Sequence, residues 1–409
     1  MKALILNSGK GTRMGHFTSE HPKCMTEILG NETILSRQLK LLAKAGIKDV
    51  VMTTGPFSDI LMDYCYSLNL PLEYTFVHND RYSETNYIYS IYLAQDKLRG
   101  DDIVLMHGDL VFEELILDQV LESPVSVMTV SSTVELPEKD FKAVILEKRI
   151  RKVGIEFFDH AMAAQPLYKL KEKDWELWLN EMCTFCERGE VTCYGENAFN
   201  QISDVCEIYP MDVRGALCNE IDTPEDLAVV SARLKELENR TVYLCFSTDM
   251  VHSGHIAIIN KARKLGRVII GVLSDEAVCS YKRFPLLPYE ERKALFENIA
   301  GVYQVVCQNT LSYRDNLEQY KPDYVVHGDD WRTGFQKPIR DEVLEVLAGY
   351  GGQLVEFPYS NSEKYRELES RTRYQLSLPD MRRSRLKKSI EMKGLVTAIE
   401  AHSGITGLI

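Results

Sequence analysis

Short apolar runs separated by amphipathic stretches organise the first 240 residues. Residues 4–7, 50–54, 73–78 and 103–106 have the length and apolar content of buried strands. Between them, residues 34–45 carry apolar side chains at helical spacing and end at Gly46; residues 88–98 do the same and end at Gly100. This alternation predicts an α/β fold with a mostly parallel sheet and helices on its faces. Residues 143–147 and 152–158 flank a basic turn and predict a hairpin, and residues 167–188 have helical character. Thr223-Pro224-Glu225-Asp226 reads as a helix start, with a capping Thr, Pro at the first position and acids behind it. That helix runs to about Glu238, and Asn239-Arg240 is the expected boundary of a first domain, 1–238.

A second α/β series follows over 241–358. Its strands are expected at 242–246, 268–273, 302–306, 324–327 and 353–357. Residues 359–377 turn polar without a sheet period and read as a linker or irregular helix. Residues 378–409 open a new unit that stops before it can close.

Composition narrows the function. The chain has 409 residues, 45% hydrophobic and 26% charged, with a formal net charge of −12. That is an ordinary globular composition, and the acidity argues against a nucleic-acid partner. A phosphate-bearing ligand must then be drawn in by local positive charge and metal. No apolar stretch reaches membrane-span length, and the start reads as a strand and not a signal peptide, so the expected location is cytoplasmic. Ten cysteines are scattered; only Cys183 and Cys186 have CxxC spacing, on a helix, where buried thiols are the expected state.

The first candidate site follows the first strand. Gly9 and Gly11 allow unusual backbone angles and close approach of amide N–H groups to phosphate. Arg13 and Lys23 add fixed positive charge, and Gly108-Asp109 ends a later strand, where a carboxylate can hold a cation. Glu220-Ile221-Asp222 offers a second carboxylate. These pieces, Gly9-Lys10-Gly11-Thr12-Arg13-Met14, Pro22-Lys23, Gly108-Asp109 and the run 219–227, resemble the sugar-nucleotide and phosphocholine-type nucleotidyltransferases. Residues 86–94, beginning Asn86-Tyr87-Ile88-Tyr89-Ser90, look closest to the branch that activates phosphocholine or aminoalkylphosphonates. The resemblance implies Mg²⁺ on Asp109 and Asp222, catalysis by Arg13 and Lys23, and nucleotide binding by Asn7, Ser8, Gly9, Gly11 and Thr12. It also places Asn86, Tyr87, Tyr89 and Ser90 at the acceptor. Tyr87, Tyr89 and Tyr92 can form a cation–π face for an ammonium group, ordinary helix packing being the alternative. Asn7-Ser8 departs from the two Ala residues usual in that group.

The second candidate site is His252-Ser253-Gly254-His255, behind the strand at 242–246. Paired imidazoles at a helix start can donate to phosphates as charge moves to pyrophosphate. With Asp249, Tyr289-Glu290-Glu291-Arg292-Lys293 and His327-Gly328-Asp329-Asp330-Trp331, this stretch resembles the glycerol-3-phosphate cytidylyltransferases. The resemblance implies His252 and His255 as the catalytic pair, Lys282 as a phosphate contact, and Asp249, Asp329, Asp330 and Trp331 near the nucleotide. The hydroxyl-rich phosphate segment usual in that family is replaced by residues 358–365.

The tail, from Gly394-Leu395-Val396-Thr397, resembles the start of phosphoenolpyruvate mutase, a (β/α)8 barrel of about 250 residues. The expected architecture is therefore two Rossmann-like nucleotidyltransferase domains and an incomplete barrel stub without mutase activity. The expected function is transfer of CMP from CTP to a small phosphonate, with a phosphomonoester such as phosphocholine or a sugar 1-phosphate as the alternative acceptor. A second domain that binds or docks without turnover, and a homodimer, are left open.

Overall fold

The computed structural model describes residues 1–247, 251–281 and 285–358, with single positions at 383, 387 and 390. The chain divides into two compact units, Met1–Glu236 and Leu237–Ile409. Asp249, Lys282, the stretch 359–377 and almost all of 378–409 lie outside the described residues, as do the expected linker and barrel stub.

In the first unit a nine-stranded sheet runs in the order Arg149–Gly154, Lys142–Leu146, Ala161–Leu170, Ile103–His107, Lys2–Asn7, Asp49–Thr54, Glu73–His78. Val127–Ser131 pairs with Ala161–Leu170 and with Tyr209–Asp212. The four strands from Ile103–His107 to Glu73–His78 are parallel. The three inner strands are mostly buried, as a sheet covered by helices on both faces requires, whereas the edge strand Glu73–His78 is only partly buried. Helix Ile34–Lys44 starts on a capping box between Thr33 and Ser36, and Tyr87–Leu98 on the side chain of Asn86. The hairpin at 142–154 turns through Glu147 and Lys148, both at positive φ, which matches the strand twist.

One expectation fails here. Residues 167–170 are the end of the strand Ala161–Leu170 and not helix; the helix is Glu172–Glu187. Antiparallel pairing of that strand with Ile103–His107 and Val127–Ser131 outweighs its local pattern. Cys183 and Cys186 lie buried and unbridged on the helix behind it. Burial pushes both thiols up, that of Cys186 to about 12, so neither is a reactive thiolate.

The second unit holds one parallel five-stranded sheet, in the order Val302–Gln308, Arg267–Leu273, Thr241–Phe246, Tyr324–Gly328, Gln353–Phe357. Counted within the unit this is 3-2-1-4-5, an order that reverses direction between its first and fourth strands. The first unit has the same reversal between Lys2–Asn7 and Ile103–His107. In open α/β sheets the crevice at the carboxyl ends of such strands is where ligands bind. Among the described residues no helix is long and apolar enough to cross a membrane.

Candidate functional site

The first unit's reversal point places Asn7-Ser8-Gly9 and His107-Gly108-Asp109 side by side at the carboxyl edge. A cleft of about 280 Å³ opens there, lined by Leu6, Asn7, Gly9 to Arg13, Pro22 to Cys24, Gly108, Asp109 and Asp222. The glycine loop leads into a 3-10 turn, Thr12–Thr18, closed by Met14 N–H donating to the Gly11 carbonyl. Gly11 sits at φ 62°, and a Cβ there would come within 2.9 Å of Lys23 Cβ, so both backbone and packing require glycine. Gly9 has no such need: its φ is not left-handed and a Cβ would meet nothing within 4 Å.

Asp222 reaches this edge through a two-stranded ribbon, Leu110–Phe112 with Cys218–Glu220. The Ile221 N–H donates to the Asp109 carbonyl at 3.0 Å, which brings the two acidic segments together. Asp226, in the cap of helix Pro224–Asn239, accepts from the Asp222 N–H at 3.0 Å and fixes its backbone. The Lys23 ammonium then lies 2.6 Å from Asp109 Oδ2 and 2.6 Å from Asp222 Oδ1. Arg13 reaches the same Asp222 oxygen at 2.9 Å. Burial opposes charge on Lys23, but Asp109 and Asp222 outweigh it and raise its pKa. Burial likewise opposes the Asp109 carboxylate, and Lys23 with His107 holds it below its ordinary value.

A second polar layer adjoins this one. His107 Nδ1 lies 2.7 Å from Glu220 Oε1. Burial would lower the His107 pKa, but Glu220 raises it; burial and Asp109 raise that of Glu220. One atom each from His107, Asp109 and Glu220 falls within 4.8 Å of the others, a spacing that could hold a cation. Tyr87 lies edge-on to His107 with centroids 5.2 Å apart, and Tyr194 is 5.9 Å from Tyr87 and 4.8 Å from Phe141. Beneath them Glu196, 2% exposed, accepts from the hydroxyls of Tyr87 and of Tyr168, the latter at 2.8 Å. Burial lifts Glu196 to about 8.

Arg13, Lys23, Asp109, Asp222, Asn7, Gly9, Gly11 and Thr12 thus line one cleft; Ser8 lies buried beside it, against Gly55. The acceptor set is less coherent. Ser90 is 1% exposed and accepts from Asn79 Nδ2 at 2.9 Å, so it serves packing and cannot meet an acceptor. The Asn86 side chain is spent on the Tyr87 N–H at 2.7 Å as a helix cap. Tyr89 stacks with Tyr92 and under Arg81, away from the His107 edge that Tyr87 touches. His107 and Glu196 were not marked by sequence; only the position of His107, two before the strand-end Asp109, pointed toward it.

In the second unit His252 caps helix Ser253–Ala262. Its Nδ1 accepts from the Gly254 N–H at 3.0 Å, and the two imidazoles lie 3.9 Å apart. Burial lowers the His252 pKa. Gly328-Asp329-Asp330-Trp331 follows the neighbouring strand across the reversal point. Trp331 stacks on His327 at 3.8 Å and donates to Glu356 at 2.7 Å; Asp330 is exposed and 3.7 Å from His327. Asp329 opens the 3-10 turn with them.

These are two α/β units with loops suited to nucleotide phosphates. Residues 3–148 match the MobA-like NTP transferase domain, and residues 245–366 match the cytidylyltransferase-like family. The chain thus contains two nucleotidyltransferase domains of different kinds. It is 31% identical over 124 residues to the CMP-5'-(3-aminopropyl)phosphonate synthase of Streptomyces rubellomurinus, covering 30% of this chain and 19% of that protein. It is 25% identical over 247 residues to the choline-phosphate cytidylyltransferase of Streptococcus pneumoniae, covering 58% and 99%. The solved structure of that organism's CTP:phosphocholine cytidylyltransferase aligns at 19% identity with a TM-score of 0.47, over 57% of this chain and 98% of the other. The chain spans less than half the length of several curated relatives it matches, at 45%, 19% and 23%.

Proposed function

We propose that the first unit transfers CMP from CTP to a small aminoalkylphosphonate of the 2-aminoethylphosphonate kind and releases pyrophosphate. The observation that carries this reading is the Lys23 ammonium held between Asp109 and Asp222 at the mouth of the glycine loop. A phosphonate oxygen attacks the α-phosphorus in line; the new P–O bond forms as the bond to the bridging oxygen breaks, and pyrophosphate leaves with that electron pair. No protein nucleophile is needed. Loop amides of Gly9 to Thr12 cradle the triphosphate, while Arg13 and Lys23 offset charge gathering on the leaving group. Asp109 and Asp222 fit a hard cation: both are oxygen donors, and Asp109 Oδ1 is buried without a protein partner. Mg²⁺ on them would polarise the α-phosphate.

For the acceptor, Tyr87, Tyr194 and Phe141 offer aromatic walls beside Glu220, a setting that favours an ammonium group. The resemblance of the tail to the start of phosphoenolpyruvate mutase and the aminopropylphosphonate relative support a phosphonate. The pneumococcal relative, matched over nearly its whole length, supports phosphocholine as a second reading. The second unit is read as a nucleotide-binding module, with His252 and His255 on the phosphates and Asp329, Asp330 and Trp331 nearby.

Pyrophosphate release from four triphosphates against a panel of phosphonates and phosphomonoesters tests this directly. Turnover is expected with CTP and an aminoalkylphosphonate, to be lost in Asp109→Ala and kept in His252→Ala. The reverse pattern would move the chemistry to the second unit, and turnover only with phosphomonoesters would sink the phosphonate reading.

A further inference from the structure

Lys23 is attached to both halves of the cleft. Its stem packs where a Gly11 Cβ would be, against the loop read as the phosphate cradle. Its backbone is fixed by a tight turn, in which Met25 N–H donates to the Pro22 carbonyl at 2.9 Å and Thr26 N–H to that of Lys23 at 3.0 Å. Only the tip reaches across, and it ends 2.6 Å from one oxygen each of Asp109 and Asp222. Asp222 Oδ1 also takes Arg13, so its second cationic partner is already in place.

A divalent cation sharing these two oxygens would bind at about 2.0–2.1 Å from each. On these oxygens it would stand where the ammonium stands, and on the unpartnered Asp109 Oδ1 it would still lie beside the ammonium-bound Oδ2 of the same carboxylate. One dication and one ammonium cannot occupy one point together, and their mutual repulsion opposes such close neighbours. We propose that the Lys23 ammonium is a placeholder that competes with the divalent cation for Asp109 and Asp222, so that metal enters only when an anionic ligand on the glycine loop draws Lys23 away. This rests on the reading of those carboxylates as cation ligands.

The charges make the exchange reciprocal. With Lys23 turned to a triphosphate, Asp109 and Asp222 lose the cation they share and Arg13 remains on Asp222, so a dication restores the balance. With Lys23 in place, the carboxylates are neutralised and metal gains little. Anionic ligand and metal therefore promote each other's binding by equal factors. Lys23 has a role before the reaction as well as in it: it keeps two facing carboxylates from repelling each other.

The test is metal binding to the full chain without nucleotide. Mn²⁺ alone is titrated into wild type, Lys23→Met, Lys23→Arg and the Lys23→Met/Asp109→Asn double variant, with free Mn²⁺ followed by electron paramagnetic resonance. Lys23→Met is expected to bind Mn²⁺ at least about tenfold more tightly than wild type, the scale of one charge-assisted hydrogen bond. Lys23→Arg, still cationic, should match wild type, and the double variant should lose the gain. Because Lys23→Met can be destabilised by its facing carboxylates, melting with and without Mg²⁺ gives a second reading: Mg²⁺ should raise the variant's melting temperature more than the wild type's. Equal Mn²⁺ affinity in wild type and Lys23→Met, at a site lost with Asp109, overturns the competition and leaves the metal assignment standing. Absence of any Asp109-dependent Mn²⁺ site, even with CTP added, overturns both.

Discussion

Asn7 and Gly108 meet across the reversal point so closely that a Cβ on Gly108 would lie 1.7 Å from Asn7 Oδ1. Gly108 is therefore glycine because of its neighbours, the Asn7 side chain and the Leu6 carbonyl, which a Cβ would meet at 2.8 Å, and not because of its own φ. Asn7 is itself anchored, its N–H donating to Thr53 Oγ1 at 3.2 Å. Gly108→Ala must push either the Asn7 amide or the Asp109 backbone out of place. The expected cost is about 1–3 kcal/mol of stability, as for other overpacked sites. Activity should fall further than stability, because Asp109 is the next residue. Chemical denaturation and turnover at saturating CTP measure the two effects. The double variant Asn7→Ala/Gly108→Ala should recover only part of the stability, because the Leu6 carbonyl still meets the new Cβ at 2.8 Å.

Glu196 makes the first unit's stability depend on pH. Its folded-state pKa of about 8 exceeds the ordinary 4.5. Below 4.5 both folded and unfolded chains hold the proton. Between 4.5 and about 8 only the folded chain does, so stability falls as pH rises, and above about 8 the loss is complete. The shift corresponds to a few kcal/mol at one pKa unit per 1.36 kcal/mol. Glu196→Gln keeps an amide between the hydroxyls of Tyr87 and Tyr168 and cannot ionise. Its melting temperature should be flatter than wild type's between pH 5 and pH 9. An unchanged slope would mean that Glu196 is not the group responsible.

Much of this arrangement was legible in the chain. The glycine loop, Lys23, the strand-end Asp109 and the capped Thr223 helix carry local patterns that survive folding, and the second unit's five strands match their apolar runs. What was not legible depends on distant partners. The strand Ala161–Leu170 leads straight into a helix and is defined by pairing with segments more than thirty residues away. His107 and Glu220 stand 113 residues apart, and only the ribbon register joins them. Ser90 belongs to a motif whose type was read but whose phase on the helix was not; the buried Asn79 fixes it toward the core.

Glu356 organises the far end of the second sheet. It accepts from the Trp331 indole at 2.7 Å and from Arg340 at 2.8 and 3.0 Å, and Arg332 lies 2.9 Å away. Those donors, Arg340 first, hold its pKa near 2 against an ordinary 4.5. A lowered carboxylate stabilises the fold fully above 4.5 and loses that contribution as pH falls toward 2. Glu356→Leu should cost the second unit about 2 kcal/mol at pH 7 and much less at pH 3. It should also release Trp331, seen as altered indole fluorescence before any unfolding. Equal destabilisation at both pH values would refute the charge-based account.

His252 has two separable duties, and substitution can divide them. As a cap, its neutral Nδ1 accepts the Gly254 N–H; as a site residue, it presents an imidazole beside His255. Its lowered pKa means that capping stability is complete above the ordinary 6.5 and declines as pH falls through the folded value. Asn is a strong capping residue without an imidazole. His252→Asn should hold the second unit's stability within about 0.5 kcal/mol of wild type, whereas His252→Leu should lose about 1 kcal/mol. Both should weaken nucleotide binding to this unit, measured by calorimetry in an Asp109→Ala background that silences turnover in the first. If His252→Asn binds nucleotide as wild type does, the His252 imidazole is only a cap and takes no part in holding the phosphates.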